Sequence, residues 1–289
     1  MSRHAYITEY ETHGFAVVPG VFTQDEVNGL RGSALTALAS APMLRKAGYG
    51  GPPVDFRERA ISDGLHARFP AISFWPALLS PFMESLRVDA RLSRIVTDIL
   101  GPDVKQLNNQ FYFHLPGDGD CFDWHQDIMF RYPLTDYPGI VEADSYLQTA
   151  IIVDQFSTEV APLYMVPGSF RRGNLGLLDD GEGRPDYPAL RQAPDMSYPD
   201  AFLGTKPVVL KANPGDVALW CSLTVHASYP GSKDGTRMYY MNGFAAASNA
   251  SVWPDYMVSG QVVPLDTGKF PPEVRVVADD ATPLSATPR

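Results

Sequence analysis

Cysteine is scarce in this 289-residue chain, which has only Cys121 and Cys221. Two thiolates cannot build a thiolate zinc cluster, and no disulfide between them can be read from sequence. Any bound metal must therefore take its donors from His, Asp or Glu. Long apolar runs are missing too: nothing reaches the roughly eighteen consecutive apolar residues of a membrane-spanning helix, so no membrane partner is expected. The opening Met1-Ser2-Arg3-His4 lacks the apolar stretch of a secretory signal, which points to a cytoplasmic protein. Positive charge is in the minority, with 23 Lys and Arg against 33 Asp and Glu and a formal net charge of −10. That balance argues against a broad phosphate-binding face, so the expected partner is a small-molecule substrate and not nucleic acid.

What is present suits a packed core. Hydrophobic residues make up 45% and charged residues 19%, and the length fits one domain over residues 1–289. Phe15-Ala16-Val17-Val18-Pro19-Gly20 reads as a short strand, and Thr23-Gln24-Asp25-Glu26 forms a capping box that opens a helix. Val27, Leu30, Leu35 and Leu38 are expected on its buried face. A second helix is capped by Asp89, carries Leu92, Ile95, Val96, Ile99 and Leu100 at helical spacing, and ends at Gly101-Pro102.

From residue 103 the period changes. Apolar runs become short, rich in β-branched and aromatic residues, and separated by Gly, Pro and Asp. Strands are predicted over Lys105 to His114, Tyr146 to Asp154, Pro162 to Val166, Pro207 to Leu210, Val217 to Cys221 and Arg237 to Ala245. The expected class is mainly β with N-terminal and peripheral helices, a barrel or double-sheet jelly roll. By composition the chain divides into a helical layer with the first strand (1–102), a jelly-roll core (103–250) and a loose polar tail (278–289). Pro42 to Ile72 and Arg171 to Thr205 carry little periodicity and are expected to be loops covering the mouth of the barrel.

Two of the six histidines stand where a metal can be held. In Trp124-His125-Gln126-Asp127, residues i and i+2 of an extended segment point to one side, so an imidazole and a carboxylate can share an ion. Alone, that tripeptide is a weak signal. The second context is Pro214-Gly215-Asp216 feeding the apolar Val217 to Cys221, followed by Val225-His226-Ala227-Ser228. Two His and one carboxylate on one side of an ion leave the opposite positions open, which favours non-haem Fe(II) over zinc. Arg237, eleven residues beyond His226, opens the aromatic run Met238-Tyr239-Tyr240-Met241 and needs an anionic partner, which a dicarboxylate supplies bidentately. Trp124, Phe130, Trp220 and Tyr240 are candidates for a cavity wall, with packing in the core as the simpler role for aromatics on barrel strands.

With these motifs the chain resembles the phytanoyl-CoA dioxygenase (PhyH) family of Fe(II)/2-oxoglutarate-dependent oxygenases, which includes ectoine hydroxylases. The resemblance rests on Gly14 to Phe22, His125-Gln126-Asp127, Pro167-Gly168-Ser169, Pro214-Gly215-Asp216, and His226 with Ser228 and Arg237. It implies a double-stranded β-helix (a cupin-like jelly roll) with His125, Asp127 and His226 as iron ligands. It also implies that Arg237 and Ser228 hold the distal carboxylate of 2-oxoglutarate, with Gln110 and Thr149 as further co-substrate contacts. The implied reaction consumes 2-oxoglutarate and O2, releases succinate and CO2, and hydroxylates a small organic metabolite. An acidic residue at position 127, where halogenating relatives have a small one, favours oxygenation over halogenation. Thr158 to Leu163 departs from the family's usual Asn-Gly-small-Leu stretch, and Phe170 stands where His is common. Two readings of other classes stay open on sequence alone: a jelly-roll sensor that keeps the metal without turnover, and a zinc hydrolase on the same scaffold.

Overall fold

The computed structural model describes residues 3–40, 44–46, 54–62, 65–117, 122–130, 145–175, 178–179, 185–186, 205–250, 252–269 and 276–278. Four helices are described: α1 (Arg3–His13), α2 (Gln24–Ser40), α3 (Pro81–Arg87) and α4 (Ala90–Leu100). The first half of the chain contributes strands β1 (Phe15–Val18), β2 (Leu44–Lys46), β3 (Val54–Ser62), β4 (Leu65–Phe74), β5 (Val104–His114), β6 (Phe122–His125) and β7 (Tyr146–Ile152). After these come β8 (Leu163–Met165), β9 (Leu178–Asp179), β10 (Pro185–Asp186), β11 (Val208–Val209), β12 (Val217–Cys221), β13 (His226–Ser228) and β14 (Arg237–Ala246). The last are β15 (Asp255–Val258), β16 (Gln261–Val262) and β17 (Val276–Ala278). No helix among the described residues is long and apolar enough to cross a membrane.

Local chemistry explains the helix ends. Thr23 Oγ1 accepts from Glu26 N, and Glu26 Oε2 accepts from Thr23 N at 2.7 Å, closing the capping box that starts α2. Along α2 the buried row is Val27, Leu30 and Ala34, whereas Leu35 is 47% exposed and departs from the expected face. Position 35 lies beside that row, and helix geometry turns it to solvent. Asp89 caps α4 by accepting from Arg91 N at 2.8 Å, and Gly101 ends it in a positive-φ conformation. Two helices are not individually predicted from sequence. In α1 only Tyr6 and Tyr10 are buried, and α3 is just seven residues long, opened by a Ser80 cap and Pro81.

Most strands fall into two sheets. The larger follows β1-β12-β7-β14-β5-β15-β16, with β4 also on β5 and β3 on β4; the smaller follows β11-β8-β13-β6. Together they form the curled, largely antiparallel half-barrel of the jelly-roll class, as the sequence predicts. Alternation on the larger sheet splits its side chains between two layers. Leu147, Ile151, Leu219, Cys221, Tyr240 and Phe244 pack with the residues that α1 to α4 bury. Ala150, Ile152, Ala218, Trp220, Tyr239 and Met241 pack instead with Leu163 and Met165 of the smaller sheet. The site lies in this second layer, between the sheets.

The expectation that Pro42 to Ile72 is loop does not hold where it is described. Residues 54–62 and 65–74 form the antiparallel hairpin β3-β4, and Ile72 to Phe74 continue onto Tyr112 to Gln110 of β5. This segment takes its strand form from backbone pairing to a distant strand, a contribution that apolar periodicity does not report. Residues 187–204 of the second predicted loop, and 279–289 of the predicted tail, lie outside the described residues.

The turn Pro214-Gly215-Asp216 ties the entry of β12 to the N-terminal layer. Gly215 has φ +88°, and a Cβ there would sit 2.2 Å from the Phe22 carbonyl oxygen, so the backbone approach requires glycine. The Gly215 carbonyl accepts from Phe22 N at 2.9 Å, and Asp216 accepts from the amides of Gly20 and Asn213 at 2.8 and 2.7 Å.

Candidate metal centre

His125 ends β6 and His226 begins β13, and the two are direct cross-strand partners in the smaller sheet. Thus residues 101 positions apart in sequence come to rest with ring centroids 4.1 Å apart. Asp127 is the second residue after β6, at the start of a short 3-10 turn (Asp127–Phe130), so the carboxylate reaches the imidazoles because the chain turns. The extended alternation expected across residues 125–127 stops at His125. Asp127 Oδ1 lies 3.7 Å from Nε2 of both His125 and His226.

All three residues are buried, and one donor atom from each lies within 4.8 Å of the others. An ion bound at about 2.1 Å holds neighbouring donors about 3 Å apart, so the 3.7 Å separations of Asp127 from both imidazoles would close slightly around it. The Nδ1 of His226 is 2.9 Å from the Thr224 carbonyl oxygen, a contact that assigns the proton to Nδ1 and leaves the Nε2 lone pair facing Asp127. The donor set therefore fits a divalent metal of the kind bound by two His and one carboxylate.

Electrostatics keep both partners in their ligating forms. Burial raises the Asp127 carboxyl, but the two imidazoles and the Trp220 indole N–H outweigh it and hold the group well below the usual carboxylate range. His226 is pushed down to about 4 by burial and then by His125, against the pull of Asp127, so its imidazole is neutral at pH 7. One consequence concerns the metal-free protein, which is expected to lose thermal stability as pH falls from about 6.5 to about 4. In that window the unfolded chain takes up a proton on His226 that the folded chain refuses, so acid favours unfolding. Melting temperatures across the window, compared with His226→Asn, check this, and equal slopes in the two proteins contradict it.

A cavity opens beside these residues. His125, Asp127 and His226 line it together with Ser228 and Arg237. Ser228 follows His226 by two on β13, so both side chains face one way. The Arg237 guanidinium stands 5.6 Å from the Phe156 ring and 5.7 Å from the Tyr239 ring, and it donates to the Ala161 carbonyl. That carbonyl belongs to the Thr158 to Leu163 stretch that departs from the family pattern, which in this chain serves as a rest for the arginine.

The softer expectations divide. Gln110 lies on the cavity side of β5, opposite Met241, and its Oε1 accepts from the Tyr112 hydroxyl at 3.3 Å, one step back from the lining. Thr149 is not brought to the cavity. It pairs with Asn242 on the helix-facing side of the sheet and donates to the Asn242 carbonyl at 3.1 Å. Strand parity is the reason, since its neighbour Ala150 is the residue that faces inward. Parity also corrects the aromatic candidates: Trp220 lines the cavity, but Tyr240 faces the helices, donating to the Met83 carbonyl and accepting from Asn109. Trp124 packs with Val166, Val225, Ala227 and Tyr229. Tyr112, Phe122, Leu163, Tyr239 and Met241 complete the wall and are not singled out from sequence. Counting by twos from Arg237 along β14 finds two of them, Tyr239 and Met241.

The family model for phytanoyl-CoA dioxygenase (PhyH) matches residues 10–239, which span every motif gathered at this site. The chain belongs to the phytanoyl-CoA dioxygenase family. As a phytanoyl-CoA dioxygenase family protein it is an enzyme dependent on non-haem iron and 2-oxoglutarate, with O2 as co-substrate. No curated protein sequence matches it. Among solved structures it is similar to the non-haem, α-ketoglutarate-dependent carbocyclase SnoK from nogalamycin biosynthesis, with 17% identity, 96% of this chain and 97% of that one covered, and a TM-score of 0.61. It is also similar to EctD from S. alaskensis with 2-oxoglutarate and 5-hydroxyectoine bound (19% identity, 98% and 86% covered, TM-score 0.61). A third likeness is the epimerase SnoN in complex with Fe3+, α-ketoglutarate and nogalamycin RO (18% identity, 91% and 96% covered, TM-score 0.57). At these identities the likeness is one of fold.

Proposed function

We propose that this family member hydroxylates an unactivated C–H bond of a small organic metabolite, with His125, Asp127 and His226 as the iron ligands. The balanced reaction is R–H + 2-oxoglutarate + O2 giving R–OH + succinate + CO2. The observation that carries this reading is the convergence of two imidazoles, one carboxylate and a buried guanidinium on a single cavity. Iron bound there supplies dioxygen activation coupled to the oxidative decarboxylation of 2-oxoglutarate.

The chain's own residues supply position and exclusion. Arg237 and Ser228 bind the distal carboxylate of the co-substrate, and the Phe156 and Tyr239 rings and the Ala161 carbonyl hold the guanidinium in place to receive it. The stacked Tyr112 and Tyr239 rings, 4.7 Å apart and nearly parallel, wall the cavity between Arg237 and Met241 and keep water from the co-substrate chain. Among the described lining residues, Arg237 is the one guanidinium or ammonium and Asp127 the one carboxylate. With these two and His125, His226 and Ser228 committed, the remaining described wall is Tyr112, Phe122, Leu163, Trp220, Tyr239 and Met241, which favours a substrate of low charge.

The test is anaerobic addition of Fe(II) and then 2-oxoglutarate to the metal-free protein, followed by admission of air. A new absorption band in the green and iron-dependent succinate release are expected, with one oxygen atom gained by a metabolite when a small-molecule extract is supplied. No band and no succinate would overturn the reading. Zinc-dependent activity without O2 would replace it with a hydrolase.

A further inference from the structure

One buried donor at the centre has so far been given no part in the reaction. Trp220 lies on β12 of the larger sheet, is 3% exposed, and donates its indole N–H to Asp127 Oδ2 at 2.7 Å. Its ring also stands edge-on to His226, with centroids 5.9 Å apart and an interplanar angle of 61°. The two oxygens of Asp127 thus have different neighbours. Oδ1 faces both imidazole Nε2 atoms at 3.7 Å, while Oδ2 faces the indole across the gap between the sheets.

Indole N–H donates and cannot accept, and a donor to a buried carboxylate makes one of the stronger hydrogen bonds available. The donor itself has little freedom. Trp220 sits mid-sheet, paired in register with Phe15 of β1 on one side and Gln148 of β7 on the other. The ring packs within the layer that holds Ala218, Tyr239 and Met241. Because β12 belongs to one sheet and Asp127 follows the edge strand of the other, this hydrogen bond also fixes the carboxylate relative to the wall of the cavity.

We propose that Trp220 is a positioning residue that holds Asp127 as a one-oxygen ligand, keeping Oδ2 turned away from the ion. The inference rests on the iron-centre reading above. Three protein donors would leave a bound ion open positions that a 2-oxo acid and O2 would need. A carboxylate free to rotate and bind through both oxygens would take one of those positions. The indole therefore protects the open side of the ion without touching it, a task a phenylalanine of similar shape cannot perform.

Trp220→Phe keeps most of the ring and removes the donor. Co(II) titration without 2-oxoglutarate or O2 is expected to show metal affinity lower by about 10- to 100-fold, the usual cost of losing a partner of a metal ligand. The 2-oxoglutarate affinity of the metal-saturated variant is expected to fall as well, and a cooperative melting transition of the metal-free form establishes that the variant is folded. Metal and 2-oxoglutarate affinities both within twofold of the parent, in a folded variant, would overturn the proposal. Failure of the parent protein itself to bind Co(II) would instead overturn the iron-centre reading, so the two failures are distinct. If the variant does not fold, the parent protein decides the matter. In its Zn(II)-loaded form one of the four indole N–H resonances should lie downfield and exchange more slowly than the rest, and should lose that protection in Asp127→Asn. Four indoles unaffected by Asp127→Asn would overturn the proposal.

Discussion

Replacing Asp127 by alanine is expected to abolish turnover and to lower iron affinity by more than the 10- to 100-fold that loss of a supporting partner costs. The carboxylate is the one anion among the three converging donors, and at this buried position it would offset the charge of a bound ion. Its removal leaves two buried imidazoles with ring centroids 4.1 Å apart and deprives the Trp220 indole of its acceptor. Co(II) titration and an iron-dependent succinate assay measure the two effects. Retention of near-normal metal content in a folded Asp127→Ala protein would contradict the role given to Asp127.

Arg237→Ala is expected to act on a different quantity. The KM for 2-oxoglutarate should rise by about 30-fold or more, because truncating one member of a buried, hydrogen-bonded charge pair costs about 2–5 kcal/mol and each 1.4 kcal/mol is tenfold. Metal content should be unchanged, since the guanidinium lies against Phe156, Tyr239 and the Ala161 carbonyl and is not one of the converging donors. Arg237→Lys should recover part of the loss, as an ammonium keeps the charge but lacks the two-pronged geometry. The contrast with Asp127→Ala is the informative comparison. Equal losses of metal in the two variants would show that neither residue has the role assigned to it.

How far the sequence could be read differs between the centre and its surroundings. His125, Asp127 and His226 were legible because each stands in a short motif whose residue types have few other uses in that combination. Arg237 was legible because a guanidinium opening an aromatic strand demands an anion. The strands β7, β12 and β14 were legible to within two residues because burial on both faces writes mostly apolar segments, and β5 because the aromatic Phe111-Tyr112-Phe113 marks its end. Thr149 and Tyr240 were harder, since on a strand buried on both faces every residue is equally apolar or equally enclosed, and composition gives no sign of which side is which. The β3-β4 hairpin was hidden for the opposite reason: its form comes from pairing with β5, a strand some thirty residues further along the chain.

Residue identity by itself determined the donor types available, their order along the chain and the need for an anionic partner at Arg237, because ligand chemistry belongs to the side chain wherever it is placed. Only the tertiary structure decided that His125 and His226 are cross-strand partners, that Asp127 is reached through a turn, and that Trp220 faces Asp127 while Cys221 faces the helices. The reason is geometric: a step of one residue reverses the direction of a strand side chain, and pairing between distant strands is set by the packing of the whole sheet.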